Sequence, residues 1–254
     1  MDFYSRKETS NLSNFGIREI DFDCILGIKS TIQVNKIELS KIFTCKKLNI
    51  SYNKLTYLKN VPKQIESLDC SQNLLDELIN LPDELKILRC LGNKILCLDG
   101  LPNKLTHLDC SLNKLKTLEN LPTTLIFLNC VKNQLENLGF LPCGLEYLNC
   151  SSNKLTNLDD LPITLKFLDC DNNKISSLKN LPKLLSQLSC SKTGAILANL
   201  PKLEKIYIDD IKNINCPNNT NGINNTDNTD DTDNTNNINN INNIDNTQIK
   251  IINK

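Results

Sequence analysis

From residue 65 onward the apolar positions of this chain recur every twenty residues. With Ile65 as position 1, the same slot holds Leu85, Leu105, Leu125, Leu145, Leu165 and Leu185. Position 4 is leucine from Leu68 to Leu188. Position 6 is cysteine: Cys70, Cys90, Cys110, Cys130, Cys150, Cys170 and Cys190. Position 9 is asparagine from Asn73 to Asn173, and a Leu-Pro pair closes each unit, from Leu81-Pro82 to Leu200-Pro201. An earlier unit is recognisable at Cys45, Leu48, Ile50, Asn53, Leu55, Leu58, Val61 and Pro62. A shortened one begins at Leu203 with Ile206 and Ile208. The repeats therefore occupy residues 45–211, in eight to nine units.

Positions 4 and 6 alternate, so they face one side of a short strand. Strands of successive units stack in parallel about 4.8 Å apart. No unit buries its apolar face alone, and stacking gives one continuous core. The asparagine at position 9 bends the chain out of the strand, and its amide bonds the unpaired backbone there. Position 16 reads Asn60, Asn80, Gly100, Asn120, Asp160 and Asn180. Those residue types best tolerate left-handed backbone, and Phe140 breaks the series. Strand and turn leave little room for a helix in twenty residues, and the proline predicts extended backs. The expected fold is an α/β-type solenoid, a horseshoe of short parallel strands on the concave face. Its convex backs are extended or polyproline-like, with little helix.

This pattern is the leucine-rich repeat, L-x-x-L-x-L-x-x-N-x-L, with cysteine at the third leucine. The form LPxxLxxLxCxxNxLxxL resembles the short bacterial-type repeats of secreted effectors. It also resembles leucine-rich repeat proteins of giant amoebal viruses such as mimivirus. The resemblance covers about two-thirds of the chain and specifies a repeat class. It implies a protein-binding horseshoe without chemistry of its own. Some effectors carry a C-terminal ubiquitin-ligase domain with a catalytic cysteine, and nothing after residue 211 has the composition to fold as one.

Composition narrows the function classes. Lys plus Arg and Asp plus Glu both total 29, without the basic excess of nucleic-acid or membrane-surface proteins. "MDFYSRKETSNLSNF" lacks the apolar run of a signal peptide, and no stretch reaches the length of a membrane span. Alanine occurs twice and arginine three times, which suggests an AT-rich genome and favours a giant-virus or protist source.

Twelve cysteines invite a chemical reading. Parallel Cβ vectors one strand spacing apart are too distant for good disulfide geometry, so the seven at position 6 read as small apolar filler, suited to a reducing intracellular compartment. No C-x-x-C pair offers metal ligation. Cys97 and Cys143 lie outside the ladder, and Cys24, Cys45 and Cys216 lie near the ends, where a redox role is the alternative.

Positions 3, 5 and 7 are expected on the concave side. Position 3 reads Ser67, Ile87, His107, Phe127, Tyr147, Phe167 and Gln187; position 5 reads Asp69, Arg89, Asp109, Asn129, Asn149, Asp169 and Ser189. Position 7 is mostly small, with Ser71, Ser111, Ser151 and Ser191 beside Leu91, Val131 and Asp171. An aromatic strip in a polar frame fits a protein-binding hot spot; the alternative is cross-strand packing that merely stabilises the sheet. The candidate partner-binding residues are Ile87, Arg89, His107, Asp109, Phe127, Tyr147, Phe167 and Asp169. His107 is the single histidine, so no metal pair or catalytic triad is apparent. Lys54, Lys94, Lys114, Lys154 and Lys174 at position 10 form a solvated flank, or less simply a phosphate-binding one.

Residues 1–44 lack the repeat, and "IREIDFDCI" and "VNKIELSKIF" alternate like cap strands. Residues 212–254 are rich in Asn, Asp, Thr and Ile and are expected to be disordered. "DNTDDTDNT" lacks the glycine and final glutamate of a calcium loop; Asn218 and Asn224 sit in sequons relevant only to a secreted chain. The expectation is a non-enzymatic module with no cofactor, metal or catalytic residue. It binds a protein partner, with a host-cell protein as the candidate, on its concave face, and neither nucleic acid nor membrane. The alternatives are a structural or virion-associated protein, or a scaffold for a ubiquitin ligase.

Overall fold

A computed structural model describes residues 9–14, 20–21, 44–198, 200–208, 214–215 and 250–253. Its strands are β1 (Thr9–Asn11), β2 (Ile20–Asp21), β3 (Lys47–Asn49), β4 (Leu58–Lys59), β5 (Ser67–Asp69), β6 (Ile87–Arg89), β7 (His107–Asp109) and β8 (Phe127–Asn129). They continue with β9 (Tyr147–Asn149), β10 (Phe167–Asp169), β11 (Ser177–Leu178), β12 (Gln187–Ser189), β13 (Ile196–Ala198), β14 (Lys205–Ile208), β15 (Ile214–Asn215) and β16 (Lys250–Asn253). Among the described residues there is no helix.

One parallel sheet runs β1-β3-β5-β6-β7-β8-β9-β10-β12-β14-β16. Its register follows the repeat, with Ser67 opposite Ile87 and Leu68 opposite Leu88. One slip would exchange the leucine and cysteine positions for polar ones, so the apolar pattern fixes the pairing. Return segments form two small parallel sheets, β11-β13-β15 and β2-β4. In the closing turns from Pro62 to Pro182 the proline carbonyl accepts from the next position-1 N–H, as Pro102 does from Leu105 at 3.0 Å. These features make the predicted horseshoe of parallel strands and extended backs.

The core is a set of aliphatic columns. Leu105, Leu108 and Cys110 are fully buried, as are Leu115 at position 11 and their counterparts in neighbouring units. Burying one such leucine contributes roughly 1.5–3 kcal/mol before entropy is counted. Asn113 shows how the turns are held. Its Nδ2 donates to the carbonyls of Cys90 (3.0 Å), Cys110 (3.0 Å) and Ser111 (3.1 Å), while its Oδ1 accepts from the Ile95 N–H at 3.0 Å. Each asparagine thereby joins its own unit to the preceding one. Thr193 ends the ladder, donating only to Cys190.

Left-handed backbone occurs at position 16, where φ is 55° at Asn60 and 59° at Asp160. In the unit that carries Phe140, the positive φ moves to Gly139, at 60°. That glycine frees Phe140 from a conformation costly to an aromatic residue. Position 8 is also left-handed throughout, from Tyr52 to Lys192, although it holds Tyr, Gln, Gly, Leu, Lys, Ser and Asn. The inter-repeat bonds of that turn, such as Leu112 N–H to Val131 O at 2.8 Å, impose it.

Both ends contribute strands from outside the repeats. Thr9–Asn11 pairs in parallel with Lys47–Asn49, and Leu12 is buried. Residues 9–14 therefore add a strand and a core residue to the ladder from a region without the repeat pattern. Within "IREIDFDCI", Ile20–Asp21 is a strand; Cys24 and "VNKIELSKIF" lie outside the described residues. In the tail expected to be disordered, Ile214–Asn215 pairs with β13 and Lys250–Asn253 pairs with β14. These two short strands extend existing sheet edges. The rest of the tail, including Cys216, both sequons and "DNTDDTDNT", lies outside the described residues.

Candidate functional site

Strands β5 to β10 bury position 4 and turn positions 3 and 5 toward the concave side, where both are half-buried. The sheet register therefore arranges the eight candidate residues in two adjacent columns. Ile87, His107, Phe127, Tyr147 and Phe167 form one; Arg89, Asp109 and Asp169, with Asn129 and Asn149, form the other.

The aromatic side chains meet face to face. Ring centroids of Phe127 and Tyr147 lie 4.3 Å apart at an interplanar angle of 12°. Tyr147 and Phe167 lie 4.3 Å apart at 3°. His107 continues the stack at 5.8 Å from Phe127. The rings cover one another's faces, so mainly edges remain for a partner. Cross-strand packing is thus present in the same residues that form the candidate surface. Burial, then the charge of Arg89, lowers the His107 pKa. Burial raises that of Tyr147, opposed by a hydrogen bond with Asn149 and assisted by Asp169 and Asp109.

Position 5 also has a structural duty. Its side-chain oxygen accepts the N–H of position 7: Asp109 from Ser111 at 3.1 Å, Asn149 from Ser151 at 3.1 Å and Asp169 from Asp171 at 3.1 Å. Where position 5 is Ser189, the Asp171 carboxylate of the preceding unit takes over. It accepts the Ser191 N–H and the Ser189 hydroxyl, both at 2.7 Å. Position 7 is consequently not an open surface. Ser71, Ser111, Ser151, Asp171 and Ser191 are buried and Leu91 and Val131 half-buried, so this column offers a partner less surface than expected. Asn149 adds a donor that sequence reading missed, bonding Asp169 at 3.2 Å.

The rim carries ion pairs between neighbouring units. Glu66 accepts from Lys46 and Lys86, both at 2.7 Å, and those two bonds hold its carboxyl at about 2. Glu146 pairs with Lys166. Lys54, Lys94, Lys114, Lys154 and Lys174 are exposed.

The position-6 cysteines are free and buried, while Cys97 and Cys143 are free and exposed. Burial pushes the ladder thiols, such as Cys110 and Cys130, well above their ordinary range. Each Sγ lies near the next unit's position-5 carbonyl, as Cys130 does to Asn149 O at 3.4 Å. Inert packing is the consequence. Among the described residues, no three His, Cys, Asp or Glu side chains gather as a metal site.

No family model and no curated protein matches the chain. Solved structures do. YopM from Yersinia enterocolitica WA-314 is 32% identical over 65% of this chain, with a TM-score of 0.52. The leucine-rich repeat domain of APL1B is 23% identical over 75%, with a TM-score of 0.59. A chain of the LRIM1/APL1C complex is 26% identical over 75%, also at 0.59. The match spans only 43%, 61% and 39% of those chains respectively. With its parallel-strand ladder, asparagine turns and extended backs, this chain has the leucine-rich repeat solenoid fold.

Proposed function

We propose that the chain is a non-enzymatic protein-binding solenoid whose partner docks on the concave strip of Ile87, His107, Phe127, Tyr147 and Phe167. The observation that carries this reading is the aromatic stack itself. Four rings in register are held rigidly on a sheet face, half-exposed, beside a polar column. Rigid aromatic side chains in a polar surround lose little entropy on binding and dominate interface energetics. The similarity to a chain of the LRIM1/APL1C assembly supports a protein as the partner. The unreactive thiol ladder supports a reducing, intracellular setting, including a host cytoplasm if the source is viral.

The test is affinity capture from a host-cell lysate with mass spectrometry, comparing wild type with Phe127→Gln/Tyr147→Gln/Phe167→Gln. Gln187 already occupies this position in a neighbouring unit, so the polar replacement suits the backbone. Circular dichroism verifies folding. Loss of a captured protein by the variant supports the reading. A capture profile identical for both proteins removes the concave strip as the docking surface.

A further inference from the structure

Where position 5 is Asn or Asp, its side-chain oxygen serves the turn after the strand, and that bond does not need a charge. Asn49, Asn129 and Asn149 accept the position-7 N–H at 2.9, 3.3 and 3.1 Å. Asp69 and Asp109 make the same bond at 3.1 Å each. The negative charge at Asp69, Asp109 and Asp169 is therefore not required by this turn bond, although Asp169 also accepts from Asn149 Nδ2 at 3.2 Å. Among the position-5 residues from Asp69 to Ser189, one cation, Arg89, stands against these three. Lys47 and Lys205 lie farther out, on the flanking strands β3 and β14.

Asp109 and Asp169 are three strands apart, so their backbones are separated by about 14 Å. Four residues of an extended chain span about 13–14 Å and return to the same face. The aromatic stack runs parallel to this row. Its faces are mutually covered, so it presents ring edges, whose quadrupole is positive. A cation is consequently drawn to the carboxylates, while apolar stems lie along the ring edges.

We infer that the concave strip takes an extended, basic segment of a partner protein. Its Lys or Arg side chains, four residues apart, sit on Asp109 and Asp169, and their stems lie along Phe127, Tyr147 and Phe167. This rests on the concave-face reading above and names the chemistry of the partner. Arg89 sets a limit on one side, because it repels a further basic residue beyond Asp109. Asn129 and Asn149 lie beneath the intervening residues, where neutral side chains fit.

The test uses three fluorescein-labelled peptides of alternating Thr and Val and the full chain, with anisotropy as the readout. One peptide carries two Lys four residues apart, one carries two Glu there, and one carries two Lys three apart, on opposite faces. The first should bind at least about tenfold more tightly than either other peptide. Asp109→Asn/Asp169→Asn should weaken it by about tenfold, and added salt should reduce binding. Asparagine already serves these turns, so the variant keeps the turn bonds and loses only the Asn149 donation to residue 169; circular dichroism verifies its fold. Equal binding of the Glu peptide, an affinity for the Asn variant within about twofold of wild type, or no binding by any peptide overturns the inference. Capture of a lysate protein that is lost on the triple Gln variant but kept on the double Asn variant rejects the basic partner and leaves the concave surface standing. Retention by both variants rejects both.

Discussion

Replacing Asn113 by alanine tests how the units are tied together. The substitution removes three donations and one acceptance, but their consequences differ. The Cys90 carbonyl keeps Asn93 Nδ2 at 2.9 Å, and the Cys110 carbonyl keeps Asn133 Nδ2 at 3.0 Å. The Ser111 carbonyl keeps the Gly92 N–H at 2.9 Å. Only the Ile95 N–H, which now reaches Asn113 Oδ1 at 3.0 Å inside the protein, loses its acceptor. One orphaned buried donor costs about 1–3 kcal/mol, and each lost second bond adds about 0.5 kcal/mol. The expected loss is about 2.5–4.5 kcal/mol. Asn113 is flanked by complete units on both sides, so fraying of a solenoid end does not disguise the effect. Urea unfolding followed by far-UV circular dichroism measures it, provided that the m-value is unchanged. A loss below about 0.5 kcal/mol would refute the reasoning, since a buried N–H cannot be left unpaired so cheaply.

Asn113→Asp adds a pH signature. The new carboxylate faces three carbonyl oxygens, so its folded pKa is raised above the unfolded value of about 3.9. Its deficit relative to wild type should be smallest below that pH and grow as pH rises through the folded pKa; a pH-independent deficit contradicts this. The His107 imidazole should titrate below its ordinary value by NMR, because burial and Arg89 disfavour the cation, and Arg89→Gln should move the midpoint up. The His107 contribution to stability is therefore complete above the unfolded pKa and lost as pH falls through the folded one; a midpoint at or above about 6.5 contradicts this. Thiol alkylation of the native protein mapped by mass spectrometry should label Cys97 and Cys143 quickly and the buried ladder cysteines only on unfolding; rapid labelling of Cys130 would show that the core opens. Gly139→Ala should cost about 1–2 kcal/mol in urea unfolding, because φ is positive there. Phe140→Ser, at a side chain 97% exposed, should stay within about 0.5 kcal/mol of wild type.

The period of twenty by itself determines the architecture. Leucine at position 4 and cysteine at position 6 fix strand, face and register together, because a slip exposes the whole column. Asn at position 9 and the Asn, Asp or Gly series at position 16 mark the two turns through side-chain chemistry. The left-handed turn at position 8 left no such mark, because inter-repeat hydrogen bonds impose it on residues as different as Tyr52 and Lys132. The same holds for the shift to Gly139 beside Phe140. The alternation placed the candidate residues in their columns. It did not reveal that the rings would cover one another, nor that the serines of position 7 would be buried. Those outcomes depend on how neighbouring units approach, a distance that no single unit encodes. The ends were least legible for the same reason. Thr9–Asn11 and Lys250–Asn253 are strands because a sheet edge offers them hydrogen bonds, and that edge exists only once the solenoid has formed.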